Sequence, residues 1–253
     1  MVVSWQDTGI LIGSRKLGES KLILTLFTQS NGLAKGVHRP SKKKQSAISL
    51  GASCACNWQA RLESQLGHWQ LEVMRDPTAH LIFDPIKIDV LQYVCQLLTV
   101  VLPERHSYPE LYQEFEVFLT QLLTEPIKAM VVFELCILES LGYGFTLDSC
   151  AATGQSEELY WLSPKSCQAV SYAAGLPYQD KLFKLPTCMI DNKGDFKSAL
   201  WKTLTDNDEV LLLGQITECF IEKYFAGTPK LTELIDLRRM ILRKVLKNGT
   251  KND

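Results

Sequence analysis

Two hydrophobic periods share this chain, and they change over near residue 84. In the first part apolar and polar positions alternate. Cys54, Cys56, Trp58, Ala60 and Leu62 interleave with Ala55, Asn57, Gln59, Arg61 and Glu63, the period of two that marks a strand with one buried face. Gly67, Trp69, Leu71 and Val73 continue it after a break. Upstream, residues 8–13 read as a short strand, 17–20 as a turn, and 21–28 as a strand ended by Ser30-Asn31-Gly32. The chain then resumes at residues 33–37, so a hairpin is expected. About five short strands in some seventy residues predict a small closed barrel of OB type.

Beyond Asp84-Pro85 the period becomes helical. Leu111, Phe115, Phe118, Leu119 and Leu122 recur at helix spacing. Residues 88–102 closed by Pro103, and 127–141 ending at Gly142, form two further stripes. Asp206 is placed to cap a helix carrying Leu213, Ile216, Phe220 and Tyr224, and Thr232 to cap a last one carrying Leu234, Leu237, Ile241 and Val245. Residues 150–192 look irregular, with Gly154, Pro164, Gly175, Pro177 and Pro186; Tyr160, Trp161, Leu162, Val170 and Tyr172 are the side chains expected to hold them together. The predicted class is α+β: an OB-fold barrel in residues 1–80, then a helical domain in 81–253 with an insert at about 147–192.

Charge divides the chain differently. Residues 1–80 hold 10 Lys/Arg against 5 Asp/Glu, residues 81–229 hold 10 against 20, and residues 230–253 hold 7 against 3. The net charge of −1 therefore conceals two basic ends around an acidic middle, a layout suited to a protein that meets a polyanion with one part only. No apolar run approaches the roughly 20 residues of a membrane span, and the first residues lack a basic segment leading into an apolar one. The eight irregularly spaced cysteines read as reduced thiols. A cytoplasmic, nucleoid-associated protein is expected.

Enzyme signatures are missing from the sequence. It holds no phosphate-binding Gly-Lys-Ser/Thr loop, dinucleotide fingerprint, His-Glu-x-x-His or Gly-x-Ser-x-Gly. Gly142-Tyr143-Gly144 follows a helix and reads as a helix stop. The four histidines are scattered, and Glu110 with Glu114 reads as a solvated helix face. Cys54 and Cys56 share the face of Trp58 and read as small core residues. Cys150 opens the irregular segment, but the position three residues on is Thr153, and Cys167 and Cys188 each stand alone. No metal and no other cofactor is expected.

The candidate chemistry is phosphate binding. Lys35, Arg39, Lys42, Lys43 and Lys44 cluster with Ser41, Gln45 and Ser46, uninterrupted by an acid, and Arg15, Lys16 and Lys21 fall on adjoining strands. Mobile cations with hydrogen-bonding neighbours are what phosphate contact requires, and curved OB faces commonly hold single strands. Arg239, Arg243 and Lys247 recur along the last helix, as ordinary solvation or as a second phosphate contact.

Residues 5–11, Trp-Gln-Asp-Thr-Gly-Ile-Leu, together with Arg15, Gly18-Glu19-Ser20, Thr25-Leu26-Phe27-Thr28, Gly32 and Lys35-Gly36-Val37-His38-Arg39, resemble the RecO family of bacterial DNA repair and recombination proteins. Trp58-Gln59-Ala60-Arg61-Leu62, Leu66-Gly67, residues 133–143 and Cys150-Ala151-Ala152-Thr153-Gly154 extend the likeness over roughly residues 1–180. The resemblance implies an OB-fold and a helical domain with a zinc-finger-like region. It also implies binding of single- and double-stranded DNA, annealing of complementary strands, and work with RecR and single-stranded DNA-binding protein to load recombinase. Some family members carry four zinc-binding cysteines near Cys150; this chain has one there, with Thr153 in place of its neighbour. Relatives tend to have glycine where Pro40 stands, which stiffens the entry to the basic loop. The acidic tail of single-stranded DNA-binding protein would need an apolar groove edged by a cation, for which Lys128 is the nearest candidate. The expectation is a non-enzymatic mediator of DNA repair; the alternative is a helical protein–protein adaptor without direct DNA contact.

Overall fold

The protein is described by a computed structural model covering residues 2–40, 48–62, 64–191 and 196–249. Five strands, β1 (Val3–Leu17), β2 (Lys21–Thr28), β3 (Gly32–His38), β4 (Ser53–Ala60) and β5 (Gly67–Arg75), close into a barrel in the order β1-β2-β3-β5-β4. That is the five-stranded Greek-key order of the OB fold. Four neighbouring pairs are antiparallel, and β3 meets β5 in parallel through Gly36↔Gly67 and Val37↔His68.

The barrel interior explains the glycines at that closure. Trp58 and Trp69, both almost wholly buried, lie inside with Leu11, Leu24, Leu26, Ala34 and Cys56. Trp5 stacks on Trp58 at 5.6 Å and meets Trp69 edge-on at 5.5 Å. The indole N–H of Trp58 donates to the Lys35 carbonyl at 2.9 Å and that of Trp69 to the Leu24 carbonyl at 3.2 Å, so neither ring buries an unpaired donor. A Cβ on Gly67 would stand 2.1 Å from Trp58, and one on Gly36 2.7 Å from Trp69. Only glycine lets both strands close over the indoles.

β1 is a single strand of 15 residues where a short one over residues 8–13 was expected. A register shift between Leu11 and Gly13 lets its first part pair with β4 and its second with β2. Residues 9–12 are consecutively buried, because the strand is covered on its outer face as well as its inner one. That cover comes from helices. After a short turn α1 (Thr78–Leu81), α2 (Pro85–Val101) packs on β1, and Phe27 of β2 meets Tyr112 and Phe115 of α3 (Pro109–Gln121) at 5.6 and 6.1 Å. Both α2 and α3 begin with proline at their first position, and Asp84 Oδ1 caps α2 by accepting from Ile86 N–H at 3.0 Å.

The remaining elements are α4 (Pro126–Ser140), β6 (Leu159–Leu162), β7 (Ala169–Ser171), α5 (Tyr172–Gly175), a 3-10 turn (Leu176–Lys181), β8 (Phe183–Lys184), α6 (Thr187–Asp191), α7 (Phe196–Thr203), α8 (Asn207–Tyr224) and α9 (Leu231–Gly249). They fall into two compact units. The first comprises residues 1–124 and 228–253; the second comprises 125–227. In the first, α9 returns to pack along α2, where the Lys244 ammonium lies 2.5 Å from Asp89 Oδ2. The boundary expected at residue 80 lies inside this unit, because α2 and α3 roof the barrel.

In the second unit α4 is buried on all sides from Lys128 to Leu138 and packs against α7 and α8. Asp206 caps α8 through the Asp208 N–H, as its sequence position suggested. The stretch expected to be irregular carries a three-stranded sheet, β7-β6-β8. Its strands of two to four residues are too short to leave a readable alternation. Tyr160, Trp161 and Tyr172 cluster on it at 4.7 to 6.3 Å, with Leu162 and Val170 buried. Thr232 is not the cap of the last helix: α9 begins at Leu231, whose N–H is taken by the Thr228 carbonyl. Among the described residues no helix is long and apolar enough to cross a membrane.

Candidate nucleic-acid interface

The strand register fixes which cations share the barrel's outer face. Gly13, Thr25 and Lys35 are direct partners across β1, β2 and β3, and Arg15 lies two residues from Gly13, hence on the same face. Arg15 and Lys16 are exposed at the end of β1, Lys21 is half-buried at the start of β2, and Arg39 is exposed just after β3. These cations therefore gather at one end of a three-stranded surface. Lys42, Lys43 and Lys44 lie outside the described residues.

The C-terminal stripe joins this unit. Arg239 and Arg243 are exposed on α9, while the side chain of Lys247 lies outside the described set. The first unit thus collects 19 Lys/Arg against 14 Asp/Glu, the second 8 against 14. The two basic ends of the sequence fold together, and residues 125–227 of the acidic middle form the other body.

Two cavities mark the barrel surface. A cleft of about 420 Å³ is lined by Arg15, Lys35 and Lys230 among apolar and neutral polar side chains of β1, β2, α2 and α9. A smaller one, about 80 Å³, is bounded by Trp5, Asn31, Ala34, Lys35, Trp58 and Arg105. Trp58 and Trp69 are 2% and 4% exposed, so they offer little platform for bases; Trp5 and Trp58 both line the smaller cavity, and half-buried Trp5 is the more accessible of the two. Cations rather than stacked aromatics dominate the surface.

Arg105 and Lys230 were missed in the sequence. Arg105 has φ 60°, its guanidinium lies 5.3 Å from the Trp58 ring centroid, and it donates to the Gln65 carbonyl at 3.2 Å. Lys230 has φ 67° just before α9. Nothing local distinguishes either from an ordinary loop cation.

Asp7 organises the turn beside this face. Its Oδ2 accepts from the Ser30 and Asn31 backbone N–H groups at 2.9 and 3.2 Å and from Asn31 Nδ2 at 2.8 Å. The carboxylate satisfies the donors of the β2–β3 turn, which Gly32 completes at φ 65°.

Lys128, expected at the rim of a groove, is 5% exposed, and its ammonium lies 3.1 Å from Glu125 Oε2. Its charge is paired within the first turn of α4, and its side chain belongs to the interior of the helical unit.

The cysteines do not fit zinc. The Cys150 thiol accepts from the Ser171 backbone N–H at 3.2 Å and lies 3.5 Å from the Ser171 hydroxyl. Burial pushes this thiol up, but hydrogen bonds from the Ser171 and Thr153 side chains and from backbone N–H groups outweigh it and bring it down to about 6. Cys167 is engaged elsewhere, 2.6 Å from the Tyr224 hydroxyl, and Cys188 is buried in α6. Among the described residues no three His, Cys, Asp or Glu side chains come together as metal ligands. Thr153 Oγ1 accepts from the Gln155 N–H at 3.4 Å within the same turn.

Two family models cover most of the chain, Recombination protein O N terminal over residues 1–74 and Recombination protein O C terminal over residues 82–233. A DNA repair protein RecO of Ehrlichia chaffeensis is 32% identical over 244 residues, 95% of this chain and 98% of that protein. The RecO proteins of a Ruegeria species and of Beijerinckia indica are each 38% identical, covering 74% and 75% of this chain and 79% and 77% of their own lengths. The chain belongs to the Recombination protein O (RecO) family of DNA repair proteins.

Proposed function

We propose that the protein is a non-enzymatic recombination mediator that binds single- and double-stranded DNA and brings complementary strands together. The observation that carries this reading is the folding of both basic ends into one unit, with Arg15, Lys16, Lys21 and Arg39 at one end of its strand surface and Lys35 further along β3. Two strands repel through their phosphates. A surface that binds both releases their condensed counterions and lowers that repulsion, so base pairs can form without a chemical step. The mostly inward tryptophans suit this mechanism, since phosphate contact is indifferent to sequence whereas base readout is not.

RecR and single-stranded DNA-binding protein are the partners that family membership suggests, with recombinase loading as the outcome. The tail of the latter would dock on the helical unit, at a cation other than Lys128. The family's zinc is absent from this reading, because the thiols that would hold it have other hydrogen-bond partners.

Anisotropy of labelled single strands and duplexes at two salt concentrations tests the proposal. Binding should weaken steeply with salt, and annealing of complementary oligonucleotides should weaken in parallel. Absence of binding at low salt would leave the adaptor reading, favoured by Ile82 and Phe83, which are 57% and 91% exposed side by side.

A further inference from the structure

The cleft of about 420 Å³ joins elements far apart in sequence. Gly13, Arg15, Thr25 and Lys35 supply its barrel wall, Gln96 and Val100 of α2 the facing wall, and Lys230 with Leu234 its end at the start of α9. Its three cations come from β1, β3 and the residue preceding α9, and among the described residues neither Arg15 nor Lys230 takes part in an ion pair. Gly13 leaves the middle of the barrel wall open, since a side chain there would extend toward Thr25. Ile23, Val100 and Leu234 give the same cavity an apolar lining. Cations combined with apolar walls match a ligand carrying phosphate charge and a sugar or base face.

We propose that this cleft is a subsite for the phosphodiester backbone of single-stranded DNA, with Lys230 as a third phosphate contact beside Arg15 and Lys35. The inference rests on the DNA-binding reading above and extends the strand's path from the barrel surface to the beginning of the C-terminal helix. A volume of about 420 Å³ is in the range that holds one small organic ligand. It admits a nucleotide of a single strand but not a duplex, whose paired backbones flank grooves about 12 and 6 Å wide. The polymer rather than a free nucleotide is the ligand, because exposed Lys16 and Arg39 continue the cationic surface beyond the cleft.

The test uses the full chain with a labelled oligothymidylate and a labelled duplex. Lys230→Asn removes the charge while tolerating positive φ, and Gln96→Glu places an opposing charge at an exposed position on the other wall. Each should weaken single-strand binding several-fold while duplex binding changes little, and Lys230→Asn should lower the single-strand salt slope by about 0.7. Excess inorganic pyrophosphate and a nucleoside monophosphate, as competitors, should displace the oligonucleotide poorly. Wild-type affinity and slope in both variants, equal losses on duplex, or full displacement by the small anions would each overturn the subsite. Those outcomes leave the DNA-binding reading intact if Arg15→Ala still lowers affinity; a wild-type chain that binds no DNA would remove both.

Discussion

The Lys35 ammonium of β3 donates to Glu104 Oε1 at 2.6 Å, across 69 positions of sequence. Leu33 pairs with Glu104 in an isolated parallel bridge, and the Arg105 N–H donates to the Leu33 carbonyl at 2.9 Å. The segment after α2 is thereby laid against the barrel edge with a carboxylate on one of the candidate phosphate-binding cations. Glu104 would thus compete for Lys35 with any phosphate bound at the proposed interface.

Glu104→Gln should therefore raise DNA affinity. The pair is partly exposed, with side chains 39% and 49% accessible, so its strength is on the order of 0.5 kcal/mol after screening. Releasing Lys35 should tighten binding about two- to threefold at low salt, with little gain at high salt, where the pair is already screened. Anisotropy titrations of the two proteins at both salts measure it; unchanged or weaker binding contradicts the role given to Lys35.

Replacing Lys42, Lys43 and Lys44 together with Ala should weaken DNA binding on the order of a hundredfold at moderate salt if each contributes about 1 kcal/mol. The salt slope should fall by about 0.7 per lost contact on single strands and about 0.9 on duplex. Thermal unfolding should barely move, with a stability change of less than about 0.5 kcal/mol. A folded triple variant that binds and anneals like wild type would shift the contact to Arg239, Arg243 and Lys247.

Purified protein should hold well under one zinc per chain by elemental analysis, and chelator should leave its unfolding midpoint unchanged. Cys150→Ser, which preserves a hydrogen-bonding side chain beside Ser171, should cost no more than about 1–2 kcal/mol. One tightly held zinc per chain would contradict the hydrogen-bonded turn.

Gly67→Ala should destabilise the barrel by about 1–3 kcal/mol or more, because its Cβ would be driven into the Trp58 ring inside a packed interior. Denaturant unfolding followed by tryptophan fluorescence reports on that indole directly. The exposed Gly18, at positive φ with nothing near its Cβ, is the comparison: Gly18→Asn should shift the midpoint far less.

The barrel was legible in the sequence because its inner face is apolar and its turns carry glycine; β4 follows that alternation throughout and β5 as far as Leu71, beyond which Val73 is exposed. The longer extent of β1 was hidden by helices that bury its outer face and fill in the alternation around Ile10 and Ile12. The helical stripes were visible with their Pro and Asp starts, whereas β6, β7 and β8 were too short to register. The cationic strand ends were foreseen as a group from composition and order. The cleft was not, because Lys230 reaches it only through the packing of α9 on α2, a relation between residues more than a hundred positions apart.

That packing also has a consequence in time. The basic unit is discontinuous: residues 1–124 emerge from the ribosome before the whole of 125–227, and α9 comes afterwards. At about 5–20 residues per second, the roofed barrel waits on the order of ten seconds for the helix that covers α2 and brings Lys230 to the cleft. Until then the nascent chain carries the barrel's charges without Lys230 and those of α9, so the proposed cleft is completed only after α9 has been made and has docked on α2.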